Sequence, residues 1–303
     1  MQIVSIGEVL WDVFGTAEFL GGAPLNFCVH AQRMGASTTL LTAVGADERG
    51  QRALERMRAL DLTTALVQIV ADSPTGAAIV KTDAEGNATF TIARPAAFDG
   101  IAVNDALLSR LQGLQPDWIY FGTLAMTSPG TEAILRRMVQ RSPQARRFYD
   151  MNLRAGHWNL ALVERLSGFA TALKLNENEA EELSQLVAPE TAFHLESFCR
   201  YWAETHGIQT ICVTLGSKGC AVLHEGRFES FPGYEVRVAD TVGAGDAFSA
   251  AFLHRLHEGW QMDRVASFAN AVGALVASRN VATPTWDMDE CRRLMAREAL
   301  AVH

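Results

Sequence analysis

Short apolar runs separated by amphipathic stretches constrain this chain more than any other feature. Runs at 2–6, 38–44, 118–121, 147–150, 173–175 and 210–215 read as buried strands. Helical patterns fall between or after them, at 25–34, 48–60, 131–140, 160–166, 179–186 and 193–206. Strands that alternate with helices predict a parallel sheet covered on both faces. Two regions break the rhythm. Runs at 66–70, 77–82 and 89–93 have no helix between them, and Asp83-Ala84-Glu85-Gly86-Asn87 has hairpin-turn chemistry, so a small antiparallel flap is expected. The last third turns helical, at 244–257, 262–278 and 288–299. No repeat or linker interrupts the 303 residues, which predicts one domain (1–303) carrying a lid.

Composition narrows the function classes. Twenty-six Lys and Arg against 34 Asp and Glu leave a net charge of -8 with no basic run, which argues against a nucleic-acid partner. Five scattered cysteines without a CxxC pair predict buried thiols in a reducing cytoplasm. The opening residues lack a basic leader, and the apolar stretch at 265–277 is too short to cross a bilayer, so a cytoplasmic protein with no membrane partner is expected. There is no GxSxG and no HExxH, and His254 and His257 read as helix-surface residues without a third ligand. A hydrolase or metalloenzyme therefore finds no support.

Asp240-Thr241-Val242-Gly243-Ala244-Gly245-Asp246-Ala247-Phe248 carries the most chemistry. It leaves a β-type run at 234–238 and enters a helix, where free N–H groups and the dipole favour an anion. Gly243 and Gly245 let the backbone turn tightly there. Asp246 has two readings: a plain N-cap, or a base that takes a proton from a hydroxyl beside a γ-phosphate. Asp12 follows the first strand, at the edge where open sheets bind ligands; it is either a surface turn residue or an acceptor for sugar hydroxyls. In Gly21-Gly22-Ala23-Pro24-Leu25-Asn26, Asn26 is either a cap or a polyol ligand.

Taken together, the opening Gly7-Glu8-Val9-Leu10-Trp11-Asp12-Val13-Phe14, the stretch from Gly21 to Gly35 and the Asp240 to Phe248 segment resemble the ribokinase-like sugar kinases of the phosphofructokinase B family, and their fructokinase branch in particular. The resemblance implies a three-layer α/β sandwich with a mostly parallel central sheet and a small antiparallel β lid from about 10–25 and 66–98. It implies ATP-dependent transfer of the γ-phosphoryl to a primary hydroxyl of an unphosphorylated sugar, with fructose giving fructose 6-phosphate. Asp246 would be the base, and the amides of Gly243, Ala244 and Gly245 the anion hole. Asp12, Gly22, Asn26, Phe98 and Arg154 would hold the sugar. Asn176, Thr214, Gly216, Gly219 and Asn270 would hold ATP together with Gly243 and Gly245. Glu179 would act on Mg²⁺ through water, and Asp240, Val242 and Ala277 would cradle K⁺, although Val281 replaces a glycine frequent in relatives. A homodimer through the lid strands is implied as well. 2-Keto-3-deoxygluconate is the alternative substrate, and a sugar-sensing regulator on the same fold is the non-enzyme alternative.

Overall fold

The computed structural model describes residues 1–82 and 88–301. In chain order the strands are β1 (Gln2–Ile6), β2 (Leu10–Phe14), β3 (Ala17–Gly21), β4 (Ser37–Gly45), β5 (Val67–Val70), β6 (Gly76–Thr82), β7 (Ala88–Ile92), β8 (Trp118–Gly122), β9 (Arg146–Asp150), β10 (Ala172–Asn176), β11 (Thr210–Thr214), β12 (Cys220–His224) and β13 (Arg227–Phe231). The helices are α1 (Ala23–Arg33), α2 (Glu48–Ala59), α3 (Asp105–Gly113), α4 (Pro129–Arg141), α5 (Leu160–Ser167), α6 (Glu177–Val187), α7 (Leu195–His206), α8 (Ala244–His257), α9 (Met262–Ala277) and α10 (Met288–Ala301).

Nine strands form the central sheet in the order β13-β12-β11-β10-β9-β8-β1-β4-β5. From β11 to β5 all neighbours run parallel, while β12 and β13 are added antiparallel at one edge. Alternation along each strand divides the core into two. Ile3, Trp118, Tyr120 and Phe148 pack on one face with α1, α8 and α9. Val4, Ile119, Phe121 and Tyr149 pack on the other with α3 to α7. Continuous apolar strands are what burial on both faces demands. Full burial of a large apolar side chain is worth roughly 1.5–3 kcal/mol, so this double core supplies most of the folding drive.

The second sheet has four strands in the order β3-β2-β6-β7. Its two hairpin pairs are antiparallel, and β2 meets β6 in parallel. Three expectations need correction. The 66–70 run does not belong to the lid: β5 pairs with β4 at the far edge of the central sheet. The run at 234–238 is not a strand, and the turn expected at 83–87 lies outside the described residues. His254 is buried, not on the helix surface, because α8 packs against both α1 and α9. All five cysteines are free and buried. Among the described residues no helix is long and apolar enough to cross a membrane.

Local chemistry joins the two sheets. Asp47 caps α2 by accepting from Gly50 N (2.7 Å), and the same carboxylate accepts from Thr75 N (2.8 Å) and Thr75 Oγ1 (2.6 Å) just before β6. Thr75 Oγ1 in turn accepts from Gly45 N at the end of β4 (2.9 Å). Asp47→Ala removes the cap and releases the β6 approach, and should lower the unfolding free energy by about 1–2 kcal/mol in urea denaturation.

Candidate active site

Parallel strands in register end together, and that alignment builds the site. Gly122 lies beside Asp150 at the ends of β8 and β9, and Asn176 beside Thr214 at the ends of β10 and β11. Above these ends lies a cleft of about 970 Å³. Leu10, Asp12, Ala78 and Ile92 of the small sheet wall one side, and Asn176, Glu177, Thr214 and Gly216 the other. Gly243, Gly245, Asp246, Asn26, Gly22, Arg154 and Lys174 line it between them.

At the start of α8, Gly243 is the N-cap with φ 80°, ψ −9°. A Cβ there would meet Ala282 O at 2.2 Å, so only glycine allows this turn. Asp246 is therefore not the cap; it sits in the first helical turn. Its Oδ2 accepts from Asn26 Nδ2 at 2.8 Å, which joins two segments 220 residues apart. Burial, and then the Asp150 carboxylate, push its pKa up to about 7, against the lowering pull of Asn26, Lys174 and Arg154. A carboxyl of that strength, at a helix N-terminus and open to a cleft, suits proton abstraction near neutral pH.

Beneath this turn lies a buried charge pair. Lys174 Nζ donates to Asp150 Oδ1 (3.1 Å), and Asp150 Oδ2 accepts from Tyr120 Oη (3.0 Å) and Ser249 Oγ (2.7 Å). Burial acts most strongly to lower the Lys174 pKa, yet the Asp150, Glu179 and Asp246 carboxylates hold it above its usual value. A Cβ on Gly245 would lie 3.3 Å from Nζ, which places the ammonium directly under the glycine turn.

The end of the cleft beside the small sheet is acidic. Burial pushes Glu8 up to about 7 and Asp12 up to about 6. Arg154 is the cation common to Glu8, Asp12 and Asp246, and it opposes the rise in all three.

Asp12, Gly22, Asn26, Arg154, Asn176, Thr214, Gly216, Gly243, Gly245 and Asp246 thus converge on one cleft. Other expected residues stand elsewhere. Phe98 is fully buried behind the wall, packed with Leu10, Ala78, Ile92 and Leu124, and those residues face the cleft in its place. Asn270 is turned away, its Nδ2 donating to Pro232 O (2.9 Å). Gly219 is set back against Phe231 O and Gly233 N. The Ala244 amide is engaged by Thr241 O (3.2 Å), leaving Gly245 and Asp246 as the first-turn donors. Glu179 closes a capping box with Asn176: Oε2 accepts from Asn176 N (2.8 Å), while Oε1 accepts from Leu153 N (2.7 Å). Its carboxylate therefore bolts the 150–154 segment to α6.

The expected cation cradle is also altered. Ala277 O already accepts from Ala239 N (2.9 Å) and Asp240 N (3.2 Å), and Asp240 Oδ1 accepts from Val242 N (3.0 Å). Asp240 and Val242 line a neighbouring cavity of about 530 Å³. Val281 adopts φ 69°, a costly conformation for a β-branched residue.

Sequence reasoning missed two residues. Lys174 is a charge within an apolar strand, and Glu8 is an acid directly after another. Each was visible as a break in a buried run, the signal that marks a buried charge with a role.

Residues 3–288 match the profile of a family described as pfkB family carbohydrate kinase. Aminoimidazole riboside kinase of Salmonella typhimurium is 30% identical over 300 residues, 93% of this chain and 89% of that protein. Fructokinase-1 of rice (Oryza sativa) is 28% identical over 308 residues, 93% and 94% of the two chains. The crystal structure of a fructokinase with bound ATP from Xylella fastidiosa superposes with a TM-score of 0.84 at 21% identity, covering 98% of this chain and 99% of that one, and so shares its fold.

The raised pKa of Asp246 carries a stability consequence with a definite sign. Between pH 4 and about 7 the folded state holds a proton that the unfolded chain has released, so this group's contribution to stability falls as pH rises. Asp246→Asn should therefore melt about 2 °C or more above the wild type at pH 8 and level with it near pH 4, as read by thermal denaturation at the two pH values.

Proposed function

Because the chain belongs to the pfkB family of carbohydrate kinases, we propose that it transfers the γ-phosphoryl of ATP to a primary hydroxyl of an unphosphorylated sugar, fructose, to give fructose 6-phosphate. The observation that carries this reading is the Asp246 carboxyl, buried at the α8 N-terminus and tied to Asn26 in a cleft walled by both sheets. It has an acceptor-rich sugar end on one side and a glycine-lined strand-end region on the other.

In this mechanism Asp12, Asn26 and Arg154 orient the sugar, and Asp246 takes the proton of the attacking hydroxyl as its oxygen approaches phosphorus in line. The N–H groups of Gly245 and Asp246, with the Lys174 ammonium below, face the charge that grows on the transferring group. Thr214 and Gly216 would meet the nucleotide's phosphates or ribose.

Among the described residues no group of three or more His, Cys, Asp or Glu side chains could hold a metal. Asn176, Glu177 and Asn178 line the cleft with oxygen-bearing side chains and would hold the water shell of an Mg²⁺ brought in by ATP. When bound, Mg²⁺ neutralises charge on the β- and γ-oxygens. The small sheet, whose Leu10, Ala78 and Ile92 roof the sugar end, would exclude water during transfer. A second reading, phosphorylation of 2-keto-3-deoxygluconate, is favoured by Arg154 and His157, which line the cleft and would meet a substrate carboxylate.

A coupled assay with ATP and Mg²⁺ on fructose, ribose, 2-keto-3-deoxygluconate, adenosine and fructose 6-phosphate tests the reading. Fructose should give the highest kcat/KM, and Asp246→Asn should lower kcat about 10²-fold or more with KM for the sugar nearly unchanged. Ordinary turnover in that variant would refute the role of Asp246.

A further inference from the structure

Glu8 is a buried acid that the mechanism above does not use. It follows β1 at the floor of the cleft and is 6% exposed. Its Oε2 is buried and has no hydrogen-bond partner among the described residues. The same is true of Asn26 Oδ1. The orientation of that amide is fixed, because its Nδ2 is committed to Asp246 Oδ2 at 2.8 Å. Both residues line the cleft beside Asp246, and each of the two buried acceptors costs free energy until a donor reaches it.

We propose that Glu8 and Asn26 Oδ1 form a hydroxyl-accepting floor of the substrate site, a specificity-determining pair that takes hydrogen bonds donated by a neutral polyol and disfavours an acidic sugar. The inference rests on the phosphoryl-acceptor reading above and narrows it. A sugar hydroxyl supplies the donor that either oxygen lacks, whereas a carboxylate supplies none and would stand against Glu8, Asp12 and Asp246. The charged groups acting on Glu8 are Arg154, Asp246 and Arg94. Arg94 is paired with Asp99 and acts on Glu8 less than Arg154 does, so Arg154 is the main cation that moderates it.

The test is Glu8→Gln in the full chain. The substitution keeps size and shape but turns one acceptor oxygen into a donor. Because Oε2 holds nothing in the fold, the ligand-free variant should melt at or above the wild-type temperature; a clearly lower melting temperature, or failure to fold, would mark a structural role and overturn the proposal. KM for fructose should rise about 10-fold or more with kcat little changed, and the kcat/KM ratio of fructose to 2-keto-3-deoxygluconate should shift toward the acid by about 10-fold. An unchanged KM and ratio would overturn it. If the wild type phosphorylates no sugar in the panel, the kinase reading falls, and fructose binding by titration calorimetry then decides the floor by itself. Weaker binding in Glu8→Gln supports the pair, and equal or absent binding in both proteins rejects it.

Discussion

The Asp150–Lys174 pair is the interaction on which the rest of the site depends. Two charges taken out of water are expensive, and they persist only where geometry and further hydrogen bonds satisfy them. Here Lys174 satisfies one carboxylate oxygen, and Tyr120 and Ser249 the other, so a single buried acid fastens β8, β9, β10 and α8. Ser249 lies one turn beyond Asp246 on the same helix, so the contact that anchors α8 also fixes which way its first turn faces. The pair sets the electrostatics too. Asp150 raises the Asp246 pKa and Lys174 lowers it, while burial remains the larger influence. The ammonium thus puts positive charge under the glycine turn without cancelling the raised pKa of Asp246.

A second constraint holds the glycine turn from above. Trp286 Nε1 donates to His30 Nδ1 (3.1 Å), which leaves the His30 proton on Nε2, donated to Ala282 O (3.1 Å). Burial drives the His30 pKa down to about 4, so this neutral tautomer persists throughout the neutral range. Arg33, one turn further along α1, donates to Thr283 O (2.9 Å) and Pro284 O. These bonds grip the carbonyls that follow Val281, which explains how a β-branched residue is kept at φ 69°. They also press Ala282 O so close to Gly243 that no side chain fits there. The N-terminal helix and the 280–284 loop therefore shape the glycine turn together.

The fold was legible wherever period and burial agree. Apolar runs marked β1, β4, β8, β9, β10 and β11, and the helices that pack on them, because strands buried on both faces leave an unbroken hydrophobic signature. The assignment of β5 failed for the same reason. Val67–Val70 reads alike whether it joins the small sheet or the edge of the large one, and its partner β4 is chosen by tertiary contact. In the site, backbone-driven features were readable: Gly243, Gly245 and Asp246 stand in a local pattern that predicts its own geometry. Side-chain direction was not. Phe98 and Asn270 lie near the right elements but turn into packing, and Ala277 offers a carbonyl already engaged by two amides. Lys174 escaped notice because its partner is 24 residues away on the next strand. A charge in a buried strand signals that a partner exists without saying which.

The acidic floor and the basic underside of the turn together make the strength of the base conditional. Glu8, Asp12 and Asp246 all sit above their ordinary carboxyl range chiefly through burial, with Arg154 restraining each. In the proposed reaction a polyol seated on the floor would displace water from around Asp246, and that desolvation would raise its proton affinity further. A phosphate held at the Gly243–Gly245 turn, as proposed, would add negative charge nearby and act in the same direction. A stronger base drives proton transfer more effectively so long as it is still ionised when the hydroxyl arrives. Under the proposed mechanism Asp246 would then be at its most basic with both ligands in place. With only one bound, part of that increase would be missing, so in the proposed reaction the charge layout would favour transfer to the sugar over transfer to water.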